Sequence, residues 1–232
     1  MRTQRKSRSH SERLTGPKMD KDHIVFVRHA ESVCGRAQLL NGDPSVPCPL
    51  TLKGRLQALR LRWIIRSLEV DLCITTPFRR TQDTARLAVP RRVPVEIWPE
   101  LADPPAGVLE GRPVHDVLKW LGDNDIRSGP PGAESQYEAL QRFSRGLGRL
   151  AQVEGVAIVI AHAFPIAVAL TIAGGEPPAV RARYDFPIAC ARPYRVSKAR
   201  LAAGVDRLRA ELNADVSRSP GPPRRSKQHP MR

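Results

Sequence analysis

A short apolar, β-branched run, Ile24-Val25-Phe26-Val27, stops abruptly at Arg28-His29. This is the pattern of a buried strand that delivers polar side chains at its carboxyl end. Residues 33–50 show no periodicity and carry Gly35, Gly42, Pro44, Pro47 and Pro49, which marks a loop. From Thr51 the apolar positions Leu52, Leu56, Leu59 and Trp63 recur at helical spacing through a basic segment and predict an amphipathic helix. Residues 70–74 read as a second strand, closed by Thr75-Thr76-Pro77. A helix then runs through Arg80, Thr84 and Leu87 and stops before Pro90. Residues 93–97 form a short strand whose proline places it at a sheet edge.

A Pro- and Gly-rich loop spans 99–113, a helix covers 114–121, and a polar loop leads to Gly132. From Ala133-Glu134-Ser135 a longer helix carries Tyr137, Leu140, Phe143, Leu147 and Leu150 on one side. The most apolar stretch, Val156 to Ala161, has the bulk and branching of a central strand and ends at His162. Pro165 opens another apolar helix, and Leu201, Val205, Leu208 and Leu212 mark the last one. Strands alternating with helices predict an α/β fold, a three-layer α/β/α sandwich with a mostly parallel central sheet. No internal repeat is present.

Composition bounds the possibilities. A chain of 232 residues with 41% hydrophobic content can bury one good core. The expected organisation is a basic flexible extension at 1–21, one domain at 22–212 and a disordered basic tail at 213–232. The formal charge is +15; residues 1–22 and 213–232 each hold an excess of four positive charges, and both lack aromatic residues. Aromatic-free Ser/Pro/Arg segments predict solvated tails rather than a specific nucleic-acid partner. No apolar run approaches the ~20 residues needed to span a bilayer, so no membrane partner is expected. The four cysteines, Cys34, Cys48, Cys73 and Cys190, show no CxxC spacing and read as unpaired thiols of a cytoplasmic protein, with no metal site or cofactor expected.

Two strands end in histidine, His29 and His162. If the strands are parallel neighbours, both imidazoles enter one crevice. Arg28 adjoins the first histidine, Arg79 and Arg80 open the helix after the second strand, and Glu100 or Asp103 follows the third. Two arginines, two histidines and an acid describe phosphoryl transfer without a metal. The guanidinium groups hold the phosphoryl oxygens, one imidazole attacks phosphorus, and the acid protonates the leaving alkoxide.

The ordered motifs resemble the histidine phosphatase superfamily, on its phosphoglycerate-mutase-like side. Arg28-His29-Ala30-Glu31-Ser32 is similar to the family's opening Arg-His-Gly-Glu-Ser/Thr, and Pro49-Leu50-Thr51 through Gly54 to Gln57-Ala58 to the segment that follows. Thr75-Thr76-Pro77-Phe78-Arg79-Arg80-Thr81 resembles the family's Ser-Ser-Pro motif, with Arg80 as the phosphate-binding arginine and Arg79 at the variable position. Gly132-Ala133-Glu134-Ser135 and Ala161-His162-Ala163-Phe164-Pro165-Ile166 match the later motifs.

The resemblance implies a phosphatase acting on a small phosphorylated substrate through phospho-His29. Arg28, Arg80 and His162 would bind the phosphoryl group. Gapless alignment puts Asp103 rather than Glu100 at the proton donor, and Glu110 reads as a structural loop acid. Ala30 and Ala163 stand where the family has glycine, and Gly35 where many members have asparagine; Asn41 or a threonine of Thr75-Thr76 could supply the missing donor. These departures keep two alternatives, a phosphoglycerate-type mutase and a weakly catalytic phospho-ligand binding protein.

Overall fold

Strand β1 (His23–Arg28) opens the sheet. The computed structural model describes residues 21–175 and 187–218. Beyond β1 the chain forms a short helix α1 (Val33–Arg36), α2 (Leu52–Arg66), β2 (Leu72–Thr75), α3 (Arg79–Ala88) and β3 (Val95–Ile97). It continues through α4 (Val114–Asp123), α5 (Gln136–Ala151), β4 (Ala157–Ala161), α6 (Ala163–Gly174), β5 (Pro193–Ser197) and α7 (Lys198–Arg218). Single 3-10 turns lie at Pro99–Leu101 and Gly107–Leu109.

The five strands lie in the order β3-β2-β4-β1-β5. The first four are mutually parallel, and β3 takes the edge that its proline predicted. Among the described residues only β5 runs antiparallel, against β1, with Pro193 as its first residue. This strand was not anticipated: Pro193-Tyr194-Arg195-Val196-Ser197 is too short and too polar to stand out, and it holds its place by docking on the outer edge of β1.

Side chains alternate across the sheet, and each face has its own core. Ile24, Phe26, Ile74, Val159 and Ala161 pack against α5, α6 and α7 on one face. Val25, Val27, Cys73, Ile158 and Ile160 pack against α2 and α3 on the other. The three-layer α/β/α sandwich follows from that alternation. The α5 residues Tyr137, Leu140, Phe143, Leu147 and Leu150 and the α7 residues Leu201, Val205, Leu208 and Leu212 are all buried, as their spacing predicted. A capping box starts α5: Ser135 accepts from the Glu138 amide, and the Glu138 carboxylate accepts from the Ser135 amide. This satisfies two amides that would otherwise lack partners and stabilises the helix by roughly 1 kcal/mol.

Helix α2 departs from its apparent pattern. It buries Gly54, Ala58, Leu61 and Ile65, while Leu52, Leu56, Leu59 and Trp63 face outward. The inward face begins with small residues because the helix starts against the backbone after β1; a Cβ on Gly54 would lie 2.0 Å from the Glu31 carbonyl oxygen.

Two cysteine readings also change. Cys34 and Cys48 form a disulfide. The loop folds back so that Ser32 bridges Leu50 in antiparallel fashion and the Val33 amide donates to the Pro49 carbonyl at 3.0 Å, which sets the two cysteines side by side. Cys73 and Cys190 are free, and burial pushes the Cys73 thiol up to about 12. Helix α7 continues to Arg218, past residue 212 where the sequence suggested the domain ends. Residues 1–20 and 219–232, the bulk of the two expected tails, lie outside the described residues.

Candidate active site

The site is built at the carboxyl ends of β1 and β4, which are parallel neighbours with Arg28 paired to Ala161. One residue further along each strand stand His29 and His162. Their rings meet edge to face with centroids 5.5 Å apart, and both side chains are buried. The His29 amide still donates to the Ala161 carbonyl at 2.9 Å, so sheet bonding reaches the residue itself. Two imidazoles in one crevice is therefore a direct result of strand register.

His29 Nδ1 lies 2.8 Å from the Ala30 carbonyl oxygen, and because a carbonyl can only accept, this nitrogen carries the proton. The other nitrogen, Nε2, accepts from Arg80 Nε at 3.2 Å. Nε2 is thus unprotonated, and its electron pair is released for attack when an incoming phosphoryl oxygen takes over the Arg80 donor. Burial, then the positive Arg80, holds the His29 pKa well below the ordinary imidazole value. The ring is neutral at pH 7 and needs no base to make it a nucleophile.

Arg80 occupies the centre. It comes from the first turn of α3, with its guanidinium 4.1 Å over the Phe78 ring. Its NH2 lies 3.1 Å from His162 Nδ1, 3.2 Å from Asp103 Oδ2 and 3.1 Å from the Asn41 carbonyl, and its NH1 donates to Asn41 Oδ1. Neighbouring Arg79 points outward and pairs with Asp83 at 3.5 Å. The register read from the sequence is the one the helix adopts. Arg28 donates through NH1 to the Ile188 carbonyl at 2.8 Å, and its buried Nε has no partner. An orphaned guanidinium donor beside the histidines suits an incoming anion.

His162 caps α6, with Phe78 packed edge-on at 4.8 Å. Its Nε2 lies 2.8 Å from Thr76 Oγ1, which in turn is 3.0 Å from Thr81 Oγ1. Thr81 donates its one hydroxyl proton to a carbonyl, either Phe78 at 2.8 Å or Thr76 at 3.1 Å. Thr76 then donates to Thr81 and accepts from His162 Nε2, which leaves Nδ1 as the acceptor facing Arg80 and Asp103. Burial first, and Arg80 second, depress the His162 pKa well below its usual value.

Asp103 lies 3.2 Å from both Arg80 and His162, with its side chain 29% exposed. Burial raises its pKa above the usual carboxyl value, although Arg80 pulls the other way. A carboxyl held toward its protonated form at the mouth of an arginine-rich pocket can donate a proton to a leaving group. Glu100 is turned away, with Oε1 3.8 Å from Arg149 on the far side of its 3-10 turn. The structure brings Asp103 to the histidines and leaves Glu100 out.

The surrounding loops are tied to one another. Glu110 accepts from the Gly42 amide at 2.9 Å and from Asn41 Nδ2 at 3.3 Å, a bracing role. Leu39 bridges Pro113; the Leu40 amide donates to the Arg112 carbonyl at 2.8 Å and the Val114 amide to the Gln38 carbonyl at 2.8 Å. Glu31 accepts from Thr51 Oγ1 at 2.8 Å and from Lys53 at 2.9 Å, and Ser32 caps α1, so both brace the loop. Asn41 spends its amide on Asp43, Val46 and Glu110, and Thr75 donates to the Glu96 carbonyl at 3.2 Å. Neither is a spare phosphate donor in this arrangement.

Ala30 and Ala163 are harmless. The non-glycine residues with positive φ among those described are Gln38, Glu69 and Ala191, so neither alanine pays for a left-handed backbone. The supporting shell is Phe78, the Thr76–Thr81 pair and the Ile188 carbonyl. Thr76, Phe78 and Thr81 lie within the motif around Arg80, which does not reveal these roles, and Ile188 carries no sequence signal.

The family model for the histidine phosphatase superfamily (branch 1) matches residues 24–203. An Escherichia coli K12 adenosylcobalamin/alpha-ribazole phosphatase is 27% identical over 150 residues, covering 60% of this chain and 72% of that protein. A Yersinia enterocolitica protein named "Probable phosphoglycerate mutase GpmB" is 27% identical over 165 residues, covering 67% of this chain and 76% of the relative. Among solved structures, the alpha-ribazole phosphatase from Shigella flexneri superposes with a TM-score of 0.65 at 24% identity, covering 77% of this chain and 96% of that one, and so supports the fold. Motif order, strand topology and family match agree: the chain belongs to the histidine phosphatase superfamily.

Proposed function

We propose that the protein is a phosphatase that hydrolyses a small phosphomonoester through a phosphohistidine at His29, with no metal ion in the reaction. The observation that carries this reading is the paired His29 and His162 on adjacent parallel strands, with Arg80 between them and Asp103 beside it. In the first step His29 Nε2 forms a bond to phosphorus as the ester P–O bond breaks. The electron pair leaves with the alkoxide oxygen, which takes the Asp103 proton. In the second step water attacks the phosphohistidine and gives a proton back to Asp103, and inorganic phosphate departs as His29 recovers its electron pair. Arg28 and Arg80 hold the equatorial oxygens, where charge gathers in the transition state, and His162 joins them once the arriving phosphate anion brings a proton to its Nδ1. Hydrolysis requires only that water reach the intermediate, whereas a mutase must retain and turn a bisphosphate.

The test is phosphate release from a small aryl phosphate in the presence of EDTA, for wild type and His29→Ala. Loss of EDTA-resistant turnover in the variant, with a trapped phosphohistidine in the wild type, supports the mechanism. Equal rates in the two proteins would sink it. A panel containing an alpha-ribazole phosphate and a phosphoglycerate then separates hydrolysis from phosphate transfer, the activities named for the two kinds of relative.

A further inference from the structure

Helix α2 carries a second surface, opposite to the one it buries. At about 3.6 residues per turn, Gly54, Ala58, Leu61 and Ile65 share the inward face, and Leu52, Leu56, Leu59 and Trp63 share the face directly across the helix axis. Leu52 is 82% exposed and Trp63 74% exposed, values that leave the side chains standing clear of the protein. Lys53 and Arg60 flank this ridge on one side and Arg55, Arg62 and Arg66 on the other, and the helix contains no acidic residue. The Arg66 guanidinium lies 5.4 Å over the Trp63 ring, with its charge at the edge of the ridge. An aliphatic and tryptophan ridge with basic margins is the arrangement by which a helix lies along an anionic bilayer. The apolar side chains enter the acyl boundary while lysine and arginine reach the head groups.

We infer that the outward face of α2 docks on an anionic lipid surface, with Leu52, Leu56, Leu59 and Trp63 inserted and Arg55, Arg60 and Arg66 on phosphate head groups, while Lys53 is held by Glu31 and Arg62 is half-buried at the margin. Charge complementarity selects this occupant. A second copy would set like charges against each other across a two-fold axis. The chain's own terminal segments each carry an excess of four positive charges and would be repelled. A ridge with Leu52 and Trp63 projecting at either end and Leu56 and Leu59 half-exposed between them suits a deformable medium, where a protein partner would need a matching acidic groove. The expectation of no membrane partner rested on the absence of a spanning run. A helix lying on a surface needs none, and among the described residues no helix is long and apolar enough to cross a membrane. This inference is independent of the chemistry at His29.

The experiment is sedimentation of the full chain with phosphatidylcholine vesicles, with and without phosphatidylglycerol, at physiological salt. The wild type is compared with Leu56→Gln/Trp63→Gln, substitutions on exposed positions that leave melting temperature and turnover of a soluble aryl phosphate unchanged. The wild type should bind only the anionic vesicles, with Trp63 emission quenched by brominated acyl chains, and the double variant should bind about tenfold or more weakly. Failure of the wild type to bind anionic vesicles would overturn the inference. So would equal binding by the double variant, which would assign the attraction to the basic termini. Binding to polyglutamate instead of vesicles, sensitive to the same substitutions, would also overturn it and assign the ridge to an acidic protein.

Discussion

Arg80 donates from Nε to His29 Nε2 at 3.2 Å, so one arginine both faces the proposed nucleophile and holds its imidazole in the reactive tautomer. Arg80→Lys keeps the charge but loses the fork that reaches His29, His162 and Asp103 together. The variant should lose about 10²–10³-fold in kcat, the scale of removing a transition-state donor, with the fold intact by circular dichroism. Wild-type kcat in this variant would remove Arg80 from the chemistry.

Asp103→Asn removes the proposed proton donor without changing shape. Turnover of alkyl phosphates, whose leaving groups need protonation, should fall by about 10²–10⁴-fold, and aryl phosphates with acidic leaving groups should suffer far less. Because burial raises the Asp103 pKa, its contribution to stability is present below the unfolded carboxyl value of 3.8 and is lost as pH rises through the folded value. At neutral pH the asparagine variant should therefore melt no lower than the wild type. A sharp drop in melting temperature would mean that the Arg80–Asp103 pair outweighs the burial cost.

His29 and His162 both contribute to the acid side of stability. Both pKa values lie well below the unfolded 6.5, so as pH falls the unfolded chain binds protons first. Their contribution is complete above 6.5 and is lost progressively below it, toward the folded values. Melting temperature should decline as pH drops from about 7 to about 5, and a His29→Asn/His162→Asn variant should show a flatter profile. Identical profiles would place the acid sensitivity elsewhere.

Arg142 acts on Asp103 from a distance. It pairs with Glu134 at 2.9 Å and donates to the carbonyls of Pro99, Glu100 and Ala102 at 3.2, 3.0 and 3.0 Å, clamping the turn that leads into Asp103. Arg142→Met should lower kcat on alkyl phosphates while leaving KM close to wild type, and should displace the basic limb of the pH–rate profile. A uniform loss on alkyl and aryl substrates alike would indicate general loosening instead.

The disulfide closes a loop that contains Asn41, a partner of Arg80. Reduction, or Cys34→Ser/Cys48→Ser, should destabilise the protein by about 3 kcal/mol on chain-entropy grounds. KM should rise as Asn41 loosens, while Cys73, buried and far from ionising, stays inert to the same reagent. Unchanged melting under dithiothreitol would show that the loop is held by Ser32, Leu50 and Glu110 alone.

Long periodic elements were legible because their signal is burial itself. Residues 156–161 had only one possible place, the centre of the sheet, and the α5 and α7 stripes pointed to their core. Helix α2 misleads because the residues that reveal its period are not those it buries; contact with the Glu31 backbone demanded glycine and alanine inward, which periodicity of large apolar residues cannot report. Strand β5 exists through its pairing with β1, a tertiary cause invisible in five residues. In the site, His29, His162, Arg28, Arg80 and Asp103 were readable because motif order and strand ends locate them. Thr81 and Phe78, whose work is to orient His162 and carry Arg80, look like ordinary helix-opening residues. The Cys34–Cys48 pair was hidden because its partners meet through a loop that folds back, not through close spacing.

The bridge between Leu39 and Pro113, with its flanking amide bonds, joins segments more than seventy residues apart, next to Asn41, which accepts from Arg80. Under the proposed function, selectivity for the alcohol half of a substrate would be the joint property of two stretches of chain. Grafting either stretch from a relative would leave its hydrogen-bonding counterpart mismatched, so a change of preference must arrive as a paired exchange of 38–42 with 109–114. The strand ends beneath would remain untouched, and a lineage could retune which substrate it accepts while the floor of the site stays fixed.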